Sequence, residues 1–256
     1  MHIVIANKKG GVGKTTTTQN LAAGLARSGK KVLALDMDPQ ANLTTAWGVA
    51  AEQTIMDVLR GRAAWKDIAV AVEHQGAGCV FLAPASRQLA AMPEVFAQEI
   101  GREFLLKEAM EALGGFDVVL MDSPPALDLI AINTYAAADR LLVPAQCEFY
   151  SLEGIALMEQ DAARVRQRLN PALGTLAIVP TFYDGRKRLC RDVLNVMREK
   201  YGSLVTDAVV RDNVALAEAP SNGQSIFTYD PRSYGAADYA ALTQEILSKL
   251  EEGHGA

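Results

Sequence analysis

Six short runs of the chain are apolar at nearly every position: HIVIAN (2–7), KVLALD (31–36), CVFLA (79–83), DVVLMD (117–122), RLLVPA (140–145) and LAIVPT (176–181). They are rich in Val, Ile and Leu and lack polar alternation, the pattern of strands covered on both faces. Between them, helical patterns predict helices over 14–28, 86–98, 101–113, 128–138, 151–169, 188–200 and 234–250. Gly29, the Gly114-Gly115 pair and Asn170-Pro171 supply stops. Such alternation predicts an α/β fold with a mostly parallel twisted sheet and helices on both faces. Internal repeats, low-complexity tracts and linkers rich in Pro, Gly or Ser are absent. Residues 1–256 are therefore expected to form a single domain.

Composition narrows the function classes. Half of the 256 residues are hydrophobic and 21% are charged, an ordinary globular balance. With a net charge of −5, the protein as a whole does not match nucleic acid, so DNA binding would require a local basic patch. Cys79, Cys147 and Cys190 are far apart, which argues against a disulfide framework or a zinc site and for a reduced, cytoplasmic protein. No apolar run approaches the ~18 residues of a membrane span, and the first strand starts at His2, leaving no room for a signal peptide. The tail SKLEEGHGA (248–256) is acidic, unlike a basic amphipathic anchor.

The stretch NKKGGVGKTT (7–16) leaves the first predicted strand and opens the first helix. It ends as the phosphate-binding pattern G-x-x-x-x-G-K-[ST] ends, but Lys8 stands where the first glycine should, and Lys9 follows it. Gly10, Gly11 and Gly13, with Val12 among them, allow successive N–H groups to turn inward around phosphate oxygens, and the helix dipole adds to their effect. In such a loop Lys14 contacts the β and γ phosphates, the Thr15 hydroxyl ligates Mg²⁺ and Thr16 reaches the α phosphate. A dinucleotide fingerprint would need a small residue in place of Thr16 and has no use for Gly-Lys-Thr. The fold class is accordingly that of a P-loop NTPase.

Three acidic residues belong with this loop. Asp36 and Asp38 sit at the end of the second strand in LALDMDPQANLTT, and Asp122 ends the strand FDVVLMDSPP. Ligands collect at the carboxyl ends of parallel strands, so all three are expected to face the phosphates. Asp122 and Asp36 are candidates to hold Mg²⁺ and its water shell, and Asp38 to orient the attacking water.

Taken together, KKGGVGKTT, DMDPQAN and DSPPALD closely resemble the ParA family of DNA-partitioning ATPases, within the MinD/ParA group with the deviant Walker A motif. The likeness continues through VPAQCEFYSLEGI (143–155), PTFYDGRKRL (180–189) and EAPSNGQSI…YDPRSYGAADYAALTQEI (218–246), nearly the whole chain. The resemblance implies that Lys9 reaches across a homodimer interface to phosphates bound by the other subunit, so that two ATP molecules lie between two chains. It implies a switch in which the ATP dimer coats nonspecific DNA and a centromere-binding partner of the ParB type stimulates a slow hydrolysis. The protein would be cytoplasmic and nucleoid-associated, and no membrane is implied. Relatives commonly carry a polar residue such as Gln at the position of Lys8, and here a solvated surface charge is expected. The absence of an extension before the first strand matches the small ParA/Soj type.

The DNA face departs from the family pattern. Arg186, Lys187, Arg188 and Arg191 in GRKRLCRDV form a candidate phosphate-contacting cluster, and cations at a helix start oppose its dipole, which favours a functional reading. Small family members read Pro-Arg-Asn-Val-Arg ahead of EAPS; this chain has Arg211, Asp212 and Ala215 in place of the proline and the two arginines. Arg211 is the candidate compensating cation. The same analogy puts adenine near Phe182 and Asn213. Two alternatives keep the ATPase and change the cargo: positioning of chemotaxis arrays, flagella or microcompartments, or membrane positioning of the MinD kind.

Overall fold

The structure is a computed structural model describing residues 1–252. Of the tail 248–256, residues 253–256 lie outside the described residues. Among the described residues seven strands, β1 (His2–Ile5), β2 (Lys31–Asp36), β3 (Val70–Gln75), β4 (Gly78–Ala83), β5 (Val118–Asp122), β6 (Arg140–Gln146) and β7 (Gly174–Thr181), build one sheet in the order β3-β4-β2-β5-β1-β6-β7. Every neighbouring pair is parallel except β3–β4. The expected α/β architecture and its six strands are present. Strand β3 is the addition: its sequence, VAVEHQ, is mostly solvent-facing and turns back onto β4 through Gly76 at φ +62°. An edge strand needs few buried residues, so it lacks the apolar run that marks the other six.

Alternate strand residues feed two cores. Val4, Leu33, Leu35, Val119, Met121, Leu141 and Val143 face one side, whereas Ile3, Ile5, Val32, Ala34, Leu120 and Leu142 face the other. Six helices exceed six residues among the described residues: α1 (Lys14–Arg27), α2 (Leu105–Glu111), α3 (Leu129–Ala137), α4 (Ser151–Arg168), α5 (Arg188–Tyr201) and α6 (Tyr234–Glu252). Helices α1 and α6 cover the second side, and α2 to α5 contribute to the first. The helix expected over 86–98 divides into a 3₁₀ turn, Arg87–Ala91, and a single α turn, Met92–Val95. Pro93 is the reason, since proline fits only the first turn of a helix.

Helix α1 carries the phosphate loop at its start, and its packing on α6 fixes its position. Gly24 lies so close to Thr243 that a Cβ there would overlap that side chain. The Thr17 and Tyr239 hydroxyls meet at 3.2 Å where the same two helices touch. The chain runs from β1 one way, through α1 to β2, and from β5 the other way, through α3 to β6. Neighbouring β1 and β5 therefore form the topological switch point, where a crevice opens at the carboxyl ends of the strands.

Candidate nucleotide site

The loop joining β1 to α1 occupies that crevice and is tied down on three sides. Asn7 is buried; its Nδ2 donates to the Pro144 carbonyl at 2.7 Å, and its Oδ1 accepts from the Lys9 amide at 3.0 Å. Gln146 Nε2 donates to the Gly11 carbonyl at 3.0 Å, and Thr181 Oγ1 to the Val12 carbonyl at 2.9 Å. Gly13, at φ +89°, sits in the left-handed region and starts α1, where a side chain would be strained. No side chain caps the first turn of α1 and no acid lies in it, so its amides are left for an anion. Gly10 and Gly11 border open space.

Lys14 is buried beneath the loop, its amine 3.4 Å from the Lys9 carbonyl. Burial lowers its pKa, and the charges of Asp122 and Asp38 oppose that shift. Thr15 Oγ1 donates to Asp122 Oδ2 at 2.7 Å. Asp122 and Asp36 are register partners on β5 and β2, so two carboxyl groups share a dry site. Asp36 Oδ2 accepts from the Thr44 amide and hydroxyl at 2.8 and 2.7 Å, and its Oδ1 accepts from the Asp38 amide at 3.1 Å. Burial above all raises the pKa of Asp36 to about 6. Burial, and then the neighbouring Asp36, raises that of Asp122 to about 8.

The remaining oxygen of Asp122, Oδ1, is buried without a hydrogen-bond partner. An unpartnered carboxylate oxygen beside a threonine hydroxyl suits a hydrated Mg²⁺. Among the described residues no group of three or more His, Cys, Asp and Glu side chains is placed to hold a metal. A hard, octahedral cation here would thus take most of its ligands from water and phosphate, as Mg²⁺ prefers. Asp38 is partly exposed and accepts the Gln40 amide at 2.9 Å.

Next to the loop lies a cavity of about 130 Å³ lined by Gly13, Thr16, Phe182, Asn213, Leu216 and Tyr239, among others. Phe182 adopts φ +50°, an uncommon conformation for an aromatic residue, at the cavity wall. Asn213 Oδ1 caps the helix Val214–Glu218 by accepting the Ala215 amide at 2.8 Å. Phe182 and Asn213 are thus brought together beside the phosphate loop. Leu216 and Tyr239 carry no sign of membership in the sequence, because only the fold brings them there.

The two lysines of the loop have different fates. Lys8 is not a solvated surface charge: its amine lies 2.7 Å from Asp161 of α4, a carboxylate only 2% exposed. The helix buries an acid, and Lys8 supplies its nearer counter-charge, with exposed Arg164 at 3.6 Å. Lys9 stays at the rim, its amine 2.6 Å from Glu148 and 2.7 Å from Gln146, both just beyond β6 or at its end. Gln146 and Glu148 fall within VPAQCEFYSLEGI, but nothing in that stretch marks them as partners of the loop. Pairs separated by more than 130 residues leave no local signal.

The basic cluster is exposed and partly self-neutralised. Arg186 bonds Asp184 through Nε and Nη2 at 2.9 and 3.0 Å, which pulls the Asp184 carboxyl down to about 2. Arg188 pairs with Asp192 at 3.4 Å, Lys187 lies 4.0 Å from Asp184, and Arg191 Nη1 donates to the Gly185 carbonyl at 2.6 Å. Arg211 is more committed. Its guanidinium forks onto Asp238 and stacks on Tyr234, 4.4 Å from the ring centroid.

A family model described as an AAA domain matches residues 1–175. The chain is 40% identical over 253 residues to the chromosome partitioning protein ParA of Caulobacter vibrioides, covering 96% of this chain and 94% of that one. It is equally similar, 40% over 253 residues, to the chromosome-partitioning ATPase Soj of Thermus thermophilus, covering 98% and 96%. The chain belongs to the ParA/Soj family of partitioning ATPases. A solved structure, cobyrinic acid a,c-diamide synthase of Mycobacterium smegmatis with bound ATP analog and magnesium, superposes with a TM-score of 0.84 at 31% identity, over 98% of this chain and 96% of that one. Both ParA/Soj relatives and that structure match this chain along nearly its full length. Among the described residues, no helix is long and apolar enough to cross a membrane.

Proposed function

We propose that this ParA/Soj family member uses ATP and Mg²⁺ to drive a cycle of dimerisation, DNA binding and release. The amides of residues 10–16 and Lys14 receive the phosphates, and the cavity beside Phe182 and Asn213 receives adenine. Thr15 and Asp122, with Asp36 behind them, hold Mg²⁺ and its water; the bound cation offsets charge on the phosphate oxygens. Asp38, at the crevice mouth, orients the attacking water, and ADP and phosphate leave.

The observation that carries the dimer is the contrast between Lys14 and Lys9. One cation is buried under the loop, whereas the amine of the other is at the rim, held by half-buried Gln146 and exposed Glu148. Transfer of Lys9 from these partners to the γ-phosphate of a facing subunit supplies charge where it accumulates in phosphoryl transfer. The ATP dimer then presents Arg186, Lys187, Arg188 and Arg191 to nonspecific DNA at the nucleoid, and a ParB-type partner speeds hydrolysis and release. Arg211, paired with Asp238, contributes little to that surface.

Sedimentation of the wild type and of Lys9→Ala with ATP and with ADP tests this reading. The wild type should dimerise with ATP alone, and Lys9→Ala should bind nucleotide yet stay monomeric. ATP-dependent dimers of Lys9→Ala would remove the cross-subunit role.

A further inference from the structure

Strand β2 ends at the nucleotide site with Asp36, but it starts with Lys31 at the opposite edge of the sheet, about 17 Å away at ~3.3 Å per residue. There a separate groove of about 610 Å³ opens between β2, β4, the segment 58–69 and the end of α2. Its volume lies within the roughly 300–1,000 Å³ of small-molecule sites. Its lining is apolar and made largely of small side chains, including Ala63, Ala69, Ala109 and Ala112, with Trp65 forming one wall. The Trp65 indole N–H already donates to the Ala109 carbonyl at 2.7 Å, so the ring offers a ligand only its apolar face.

The charges in this groove are one-sided. In a protein of net charge −5, its charged lining residues are Lys31 and Lys66; the carboxylates beside it, Asp117 and Asp67, are engaged by the Lys31 and Ala64 amides at 2.7 and 2.8 Å. Neither amine forms an ion pair or hydrogen bond among the described residues. The Lys31 amine instead sits 5.4 and 5.0 Å from the ring centroids of Phe81 and Phe116, which themselves meet edge to face. Aromatic faces hold an ammonium group in place without neutralising it, so its charge remains available to an anion.

We propose that this groove binds an amphipathic carboxylate, a linear apolar chain lying between Trp65 and Leu113 with its carboxylate on the Lys31 amine. The site is independent of the nucleotide reading, since none of its lining residues belongs to the phosphate loop or the acidic pair. An apolar peptide without a carboxylate would fit the walls but leave the two lysines unused, and the charge therefore selects the carboxylate.

Decanoate, kept below its micellar concentration, is the probe. It is titrated into the full chain carrying Trp47→Phe, so that Trp65 reports by fluorescence, and into the wild type by calorimetry. The expected result is saturable one-to-one binding, weakened about tenfold by Lys31→Gln and about tenfold on replacing decanoate with uncharged decanol. Ala112→Phe, which fills the groove from an exposed position, should abolish binding without affecting the fold. No saturable signal, equal affinity for decanol, or unchanged binding by the Lys31→Gln or Ala112→Phe variant would overturn the proposal.

Discussion

Thr15 Oγ1 and Asp122 Oδ2 are 2.7 Å apart, joining the first turn of α1 to the end of β5 while the second oxygen of Asp122 is left without a partner. This hydrogen bond ties the glycine-rich loop to the acidic pair at the switch point. It also makes the site sensitive to protons. Folded Asp122 titrates near 8 against an ordinary 3.8, so the ligand-free folded state binds an extra proton between those values.

Stability of the ligand-free protein should consequently fall as pH rises through this window. The contribution is fully present below the unfolded value and disappears as pH climbs through about 8. Within the window the slope reaches up to about 1.4 kcal/mol per pH unit for one full proton. Asp122→Asn should flatten the fall between about pH 6 and pH 8, leaving below that only the part owed to Asp36. Denaturant melts of both proteins from pH 5 to pH 8.5 check this; parallel curves would contradict the assignment. Mg²⁺ with ATP should also displace the proton, visible as a calorimetric heat that depends on the buffer.

Lys14→Ala should weaken ATP binding by at least about 100-fold, because it removes the buried ammonium group that the proposed site sets on the phosphates. Equilibrium titration with a fluorescent ATP analogue measures it. Affinity within threefold of the wild type would show that the backbone amides alone hold the phosphates.

Lys8→Ala leaves buried Asp161 with only the exposed Arg164, 3.6 Å away, as counter-charge. A loss of about 1–3 kcal/mol of stability is expected, lower than for a fully buried pair because Lys8 is one-third exposed. Replacing both residues, as Lys8→Met with Asp161→Leu, should restore most of it. Urea melts decide the matter, and equal stability of Lys8→Ala and the wild type would mean the pair contributes nothing.

The two lysines mark how far the sequence carries. The loop, its strand and helix, Asp36 and Asp122 are legible because each is a local pattern with a fixed place in a parallel fold. The partners of Lys8 and Lys9 are not, since they lie on α4 and at or just past the end of β6, more than 130 residues away. Edge strand β3 is hidden for the opposite reason. Its position relieves it of the apolar run, and the Oε1 of its one buried acid, Glu73, accepts from the Ser225 and Thr228 hydroxyls at the far end of the chain, while its Oε2 has no partner.

Charge reversal at Arg188 or Arg191 should weaken binding to random-sequence duplex DNA. The slope of log affinity against log salt should become shallower by about 1 for each DNA phosphate that the variant no longer neutralises. Arg211→Ala should leave both nearly unchanged, given its pairing with Asp238. Filter binding across a salt series distinguishes them. A larger effect for Arg211→Ala than for Arg191→Glu would move the DNA face to the segment at 211–215.

The most direct test of the proposed cycle is the binding of Asp38→Ala to random-sequence duplex DNA with ATP and with ADP, across a salt series. With the attacking water unoriented, this variant should accumulate as an ATP dimer, bind DNA with ATP alone, and release it steeply as salt rises. ATP dimers that ignore DNA at every salt concentration would contradict the account.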